Sequence, residues 1–276
     1  MMGFVKPHAL MERARNQGRA VCGFNVDSLD MAKGVIEGVC HVGMPAFLQV
    51  TPATLDIWGW DVFSTALVAL VGEISVEIAL HLDHATEVND ILRALDMGFT
   101  SVMYDGSMLA MDQNIEKTRE VVRAARRAGI FVEAEIGHVG RDGDVVADTI
   151  TEVADAVHFV VQSDVDALAI AVGTRHGHVR RTNDLRFDRV SEIRDQVDVP
   201  LVLHGASRLS TVQLRQMIAA GISKINLGTE LRSVWWQSMD QAKGEKPRQA
   251  LAQAAKNLQI YVAQKITDLA EKTVQN

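Results

Sequence analysis

Cysteine and proline are scarce in this chain, with two and five among 276 residues. Cys22 and Cys40 stand apart, forming neither a CxxC pair nor a disulfide framework, so a stapled secreted scaffold and a thiolate zinc site are both excluded. So few prolines, beside 47% hydrophobic and 23% charged residues, argue against disorder. No apolar run reaches the roughly 18 residues of a membrane-spanning helix, and no basic-plus-apolar leader is present, so the expected location is cytoplasmic. Positive charge is also short: 28 Lys and Arg against 35 Asp and Glu leave a formal charge of −7. That balance works against nucleic acid or an anionic membrane as a partner, while leaving room for a small anion in a local basic pocket. Trp58, Trp60, Trp235 and Trp236 lack the basic runs of a base-stacking surface, and packing in the core or at an interface is their expected role. GHVGRDG lacks the GxGxxG organisation of a dinucleotide site.

What the chain does contain is a repeated alternation of short apolar runs and amphipathic segments. FVKPHALMERARNQ reads as a preliminary helix. Eight strand-like runs follow, at about 20–25, 45–50, 75–82, 99–104, 130–136, 166–172, 199–204 and 222–227. Their continuous Val, Ile, Leu and Ala content fits strands covered on both faces, with helical segments such as QNIEKTREVVRAARRAG between them. The expected fold is an α/β (β/α)8 barrel with additional N-terminal and C-terminal helices, the latter spanning roughly 229–273 with a break at QAKGEKP. A doubly wound open sheet is the alternative on this pattern.

Barrel sites draw on the C-terminal ends of several strands, and polar residues stop the runs there: Asn25, Asp83, His84, Asp105, Glu135, His176, His204 and Asn226. His84, His176 and His204 recur in one structural phase, and three imidazoles can hold Zn²⁺ with a fourth position left for water or substrate. Other divalent ions fit the same ligands. His81 is expected to face differently from His84, and His178 is the alternative to His176. Asp83 can relay a proton or orient a ligand histidine. Glu133 and Glu135 share a strand face, and Glu135, nearer the strand end, can visit or position the metal.

HGAS, GTRHG and NLGTE combine small residues and hydroxyls just before expected helices. Gly177, Gly205, Ser207, Asn226 and Thr229 can present N–H groups, a hydroxyl and an amide to a phosphate after the seventh and eighth strands. Arg248, following Pro247, can grasp a distal acid, including across a subunit boundary, although a solvated surface role is its plainer reading.

HLDHATEVNDILRALDMGFTSVMYDGS, followed by VEAEIG, AVGTRHG, LVLHGAS and KINLGTE, resembles the class II ketose-bisphosphate aldolases, closest in style to the tagatose-bisphosphate branch. The resemblance runs from AVCGFNV to KPRQAL and implies that residues 1–276 form a single aldolase-like barrel domain. It implies reversible retro-aldol cleavage of an acidic ketose, most simply tagatose or fructose 1,6-bisphosphate. Other acidic ketoses, sulfonated sugars included, a barrel isomerase or hydrolase, and a noncatalytic assembly subunit are the alternatives. By the same resemblance His84, His176 and His204 would bind Zn²⁺, and Asp83 would handle the proton on the C4 oxygen. Asn25, Thr51, Gly177, Gly205, Ser207, Asn226, Gly228 and Thr229 would contact substrate, beside a monovalent cation, Na⁺ or K⁺. Arg248 would reach a neighbour's distal site in a homodimer or homotetramer.

Three departures stand out. GHVGRDGDVVADT is shorter than the family's mobile loop, so Asp142 or Asp144 is the expected stand-in for its glutamate. Arg175 and Arg208 occupy positions where relatives carry small residues and, with Arg141, would add cations near substrate. Gly228 takes the place of a larger residue.

Overall fold

The eight apolar runs become strands that follow one another in sequence order around a closed parallel barrel, β8 pairing back to β1 through Cys22 against Ile225 and Gly23 against Asn226. This closure removes the open-sheet alternative, which would leave two edges. The computed structural model describes residues 3–72, 74–137, 139, 149–175 and 185–271, with the backbone alone at Arg208. The strands are β1 (Val21–Asn25), β2 (Ala46–Val50), β3 (Ile78–Ala85), β4 (Ser101–Tyr104), β5 (Phe131–Ile136), β6 (Ala167–Ile170), β7 (Leu201–Leu203) and β8 (Ile222–Leu227). Helices α1 (His8–Gln17), α2 (Leu29–Val42), α3 (Pro52–Trp58), α4 (Trp60–Leu70), α5 (Val88–Leu95) and α6 (Met111–Ala128) accompany the first half. The second half carries α7 (Val153–Ser163), α8 (Phe187–Arg194), α9 (Thr211–Ala220), α10 (Thr229–Gln241) and α11 (Pro247–Ala270).

Local chemistry explains where elements start and stop. Thr51 caps α3 by accepting from the Thr54 N–H, and Pro52 supplies the pre-set first turn. Gly59, at φ 84°, then breaks the segment into α3 and α4, a division that helical periodicity alone does not mark. β7 is shorter than expected from 199–204, because Pro200 cannot donate to a ladder and the chain turns at Gly205, φ 64°. α11 lies across α2, where Gly34 and Gly38 give room: a Cβ at Gly34 would stand 2.5 Å from the Ala255 carbonyl oxygen.

The barrel interior is graded in polarity along its axis. At the N-terminal end Leu10, Met11 and Ala14 of α1 plug the barrel against Val21, Phe47, Ala79, Phe131, Ala167 and Val202. One step along the strands the inward positions turn polar, with His81, Ser101, Glu133 and Lys224 all fully buried. Beyond them, at the C-terminal end, come Asn25, Asp83, Glu135, His204 and Asn226. Cys22 is buried and Cys40 half-buried, and both are free thiols. Among the Trp residues, Trp60 is buried while Trp236 is exposed.

Candidate active site

Alternation along β3 sends His81 and Asp83 inward. His84 would then face outward with Leu82, but it adopts φ 53°, and the β3–β4 register shifts between Leu82 and Ala85. That turn brings the His84 ring to 4.7 Å from the ring of His204, centroid to centroid, at 62°. His84 Nδ1 lies 2.8 Å from Asp105 Oδ2, and Asp105 is itself held by the Ser107 N–H and hydroxyl. A proton on Nδ1 makes Nε2 the lone-pair nitrogen of that ring.

His204 bridges two carboxylates of β5. Its Nδ1 is 2.7 Å from Glu135 Oε2 and its Nε2 is 2.9 Å from Glu133 Oε1. Burial on its own would lower the basicity of this ring, but the hydrogen bonds to Glu133 and Glu135 outweigh it and push the pKa up to about 10. His84 moves the same way, burial being overcome by Asp83 and Asp105.

Asp83 is fixed from two neighbouring strands. Asn25 Nδ2 donates to Oδ2 at 2.6 Å and Asn226 Nδ2 donates to Oδ1 at 3.1 Å. Burial favours the neutral acid, yet His84, His81, His204 and Lys224 hold the pKa down to about 2. The group is therefore ionised at neutral pH and presents an acceptor to the cleft.

The donor set suits a divalent ion. One ligand atom from each of Asp83, His84 and His204 falls within 4.8 Å of the others, and His84, Asp105 and Glu135 form a second such group. Imidazole and carboxylate donors converging from separate strands match zinc and related first-row ions and do not single out one metal. His176, the third expected ligand, lies outside the described residues, as do His178, Gly177, Arg141, Asp142 and Asp144.

A cleft of about 570 Å³ opens from this cluster and is lined by Asp83 and His84 together with Asn25, Thr51, Gly205, Ser207, Asn226, Gly228 and Thr229 of the expected substrate side. A second space of about 630 Å³ adjoins it past Asp105 and Glu135. Gly228 precedes the first turn of α10 with no side-chain cap, leaving that helix end as a natural anion seat. Arg248 is exposed at the start of α11 and is not among the residues lining the cleft. The Arg208 backbone lies in the short 3₁₀ turn Ala206–Arg208.

Two groups have no role assigned from the sequence, although Lys224 opens the KINLGTE segment. Arg232 lines the cleft and grips Asp27 through both carboxylate oxygens, at 2.6 and 3.1 Å. Lys224 lies fully buried beneath the site, its Nζ 2.7 Å from Glu133 Oε2. His81, expected to face differently from His84, sits inside the barrel below the cluster, Nε2 3.7 Å from Asp83 Oδ1 and Nδ1 2.7 Å from Ser101 Oγ. Its pKa is lowered to about 3, by burial first and then by Lys224.

Comparison with known proteins places this geometry. Residues 5–273 match the family model for fructose-bisphosphate aldolase class-II. The chain is 32% identical over 253 residues to the sulfofructosephosphate aldolase of Alkalicoccus urumqiensis, covering 90% of this chain and 88% of the relative. The crystal structure of the YdjI aldolase from Escherichia coli K12 superposes with a TM-score of 0.88 at 28% identity, over 97% of both chains. A fructose-bisphosphate aldolase from Campylobacter jejuni, at 17% identity, shares the fold with a TM-score of 0.82 over 97% of this chain and 95% of that one.

Proposed function

The chain belongs to the class II fructose-bisphosphate aldolases, and from that membership and the cleft we propose that it cleaves a ketose 1-phosphate whose far end carries an acidic group other than phosphate, with sulfonate the favoured case. The enzyme class is that of metal-dependent aldolases. The observation that carries the metal-dependent aldolase reading is the convergence of His84, His204 and Glu135 with Asp83, of which Asp83 and His84 line the cleft.

In this reading His84, His204 and His176 hold the metal, Zn²⁺ in the first instance, with Glu135 as a helper. A divalent ion there supplies Lewis-acid polarisation of a carbonyl. Asp83, ionised and aimed by two amides, accepts the proton of the C4 hydroxyl as the C3–C4 bond breaks, and returns it in the synthetic direction. Asp142 or Asp144 is assigned the proton on the three-carbon half. Gly177, Gly205, Ser207, Asn226 and Thr229 seat the phosphate near the α10 N-terminus, with a monovalent cation beside them. Asn25, Thr51 and Gly228 border the rest of the substrate.

Preference for a sulfonated far end is supported by the similarity to a sulfofructosephosphate aldolase, while the guanidinium groups of Arg175 and Arg232 on the cleft wall support an acidic far end of either kind. Directional, charge-assisted hydrogen bonds from arginine fit a sulfonate as well as a phosphate. Arg208 is assigned to the same acidic end, and Arg248 to a neighbouring copy's site. The test is a panel of ketose 1-phosphates bearing sulfonate, phosphate or hydroxyl at the far end, followed by release of dihydroxyacetone phosphate with Zn²⁺ present. Highest kcat/KM on the sulfonate is expected. A clear preference for the bisphosphate returns the assignment to a ketose-bisphosphate aldolase, and no cleavage of any member overturns it.

A further inference from the structure

Beneath the groups assigned to the reaction lie three fully buried ionisable side chains, His81, Glu133 and Lys224, with no part in it so far. Stability alone does not account for an ion pair in this place. Removing a carboxylate and an ammonium from water costs about what their attraction returns, and apolar side chains of equal volume serve a core as well or better. The way Glu133 divides its oxygens is more telling. Oε2 accepts from Lys224 Nζ at 2.7 Å while Oε1 faces His204 Nε2 at 2.9 Å. Lys224 is enclosed by Glu133, by His81 Nε2 at 3.5 Å and by the face of the Phe47 ring at 4.9 Å. Neither Lys224 nor Glu133 lines the cleft, so the lysine reaches the reaction through its neighbours, Glu133 toward His204 and His81 toward Asp83.

The consequence concerns which nitrogen of His204 is presented to a metal. Glu133 and Glu135 are two residues apart on β5, which places Glu133 about 6.6 Å deeper along the strand. Glu135 shares the cleft end with His84 and Asp105. A histidine that ligates a metal donates its other N–H to a carboxylate or carbonyl, which fixes tautomer and ring orientation. An ion at Nε2 would sit on the side of the Lys224 ammonium, whereas an ion at Nδ1 sits on the side of His84 and Glu135.

We propose that Lys224 and Glu133 are a positioning pair: Lys224 anchors Glu133, Glu133 accepts the Nε2–H of His204, and Nδ1 is thereby turned to the metal. This rests on the reading of His204 as a metal ligand, and the experiment separates the two. Lys224→Met alone leaves a buried carboxylate without its cation and can fail to fold. The double variant Lys224→Met with Glu133→Gln removes both charges, and nothing then fixes which way the introduced amide would turn. Zn²⁺ affinity is measured by chelator competition, the Co²⁺ form by its visible spectrum, and the metal-free protein by thermal denaturation. The double variant is expected to denature near wild type, to bind metal about 10–100-fold more weakly, and to show a changed Co²⁺ spectrum. A merely structural role would move the denaturation temperature and leave spectrum and affinity alone. Wild-type affinity and spectrum in the folded double variant overturn the positioning role. If the double variant does not fold, Glu133→Asp, which keeps the charge but draws it back by one methylene, carries the same comparison. A wild-type protein whose metal affinity is indifferent to His204→Ala overturns instead the ligand reading beneath the proposal.

Discussion

Replacing Asp83 by alanine separates proton handling from metal retention, because the carboxylate is tied to the barrel by its own partners. Asn25 and Asn226 reach it from β1 and β8, at 2.6 and 3.1 Å, so truncation strands two buried amide donors. Each unsatisfied donor costs about 1–3 kcal/mol, a total of about 2–6 kcal/mol against the roughly 5–15 kcal/mol that keeps a domain folded. The variant should therefore fold with a lowered Tm. Loss of a general acid–base group costs about 10²–10⁴ in rate, or about 2.7–5.4 kcal/mol of barrier at 1.36 kcal/mol per decade. The two losses fall on different observables. Cleavage requires the C4 hydroxyl to give up its proton, while exchange of a proton on dihydroxyacetone phosphate does not. D83A should lose cleavage by that factor, keep proton exchange on the three-carbon compound, and keep its metal. Asp83→Asn should do no better, since its NH₂ would oppose one of the two amide donors. Cleavage within tenfold of wild type refutes the assignment. Parallel loss of cleavage, exchange and metal reassigns Asp83 to metal binding.

The architecture is legible because most apolar runs end at or next to a polar residue where a barrel gathers its chemistry. Asn25, Glu135 and Asn226 follow directly from strand ends and period-two alternation. His84 does not: alternation would turn it outward, and only the left-handed backbone at φ 53° with the β3–β4 register shift brings it in. Lys224 is hard to see because a lysine between Ser223 and Ile225 reads as a solvated interruption, and its partner Glu133 is 91 residues away. Parity holds a signal, since Lys224 and Asn226 share one face of β8 as Glu133 and Glu135 share one face of β5, setting opposite charges at like depth. The Asp27–Arg232 pair, 205 residues apart, has no local signal at all. The open-sheet alternative survives in the sequence for a similar reason: apolar runs report burial on both faces, and only the β1–β8 ladder decides closure.

Packing and pH supply two further expectations. Gly34→Ala would place a methyl group 2.5 Å from the Ala255 carbonyl oxygen and 3.0 Å from Leu258 Cβ, so α11 must move off α2. A loss of about 1–3 kcal/mol in denaturant unfolding is expected, and an unchanged midpoint would refute the close approach. The last expectation concerns His204 in the metal-free protein. Burial alone would lower its pKa, but Glu133 and Glu135 raise it to about 10, against about 6.5 in an unfolded chain. Between these values the native state holds a proton that the unfolded state has released, so stability is fully present below about 6.5 and falls as pH rises toward 10. Asp83, at about 2, titrates far below this window. When metal occupies one nitrogen, that proton is absent from the native state and the slope flattens. The Tm difference between Zn²⁺-loaded and metal-free protein should therefore widen from about pH 7 to about pH 10, and His204→Gln should reduce the widening to the part that His84, whose pKa is also raised, contributes. Parallel Tm curves across that range would show that His204 does not exchange a proton for the metal.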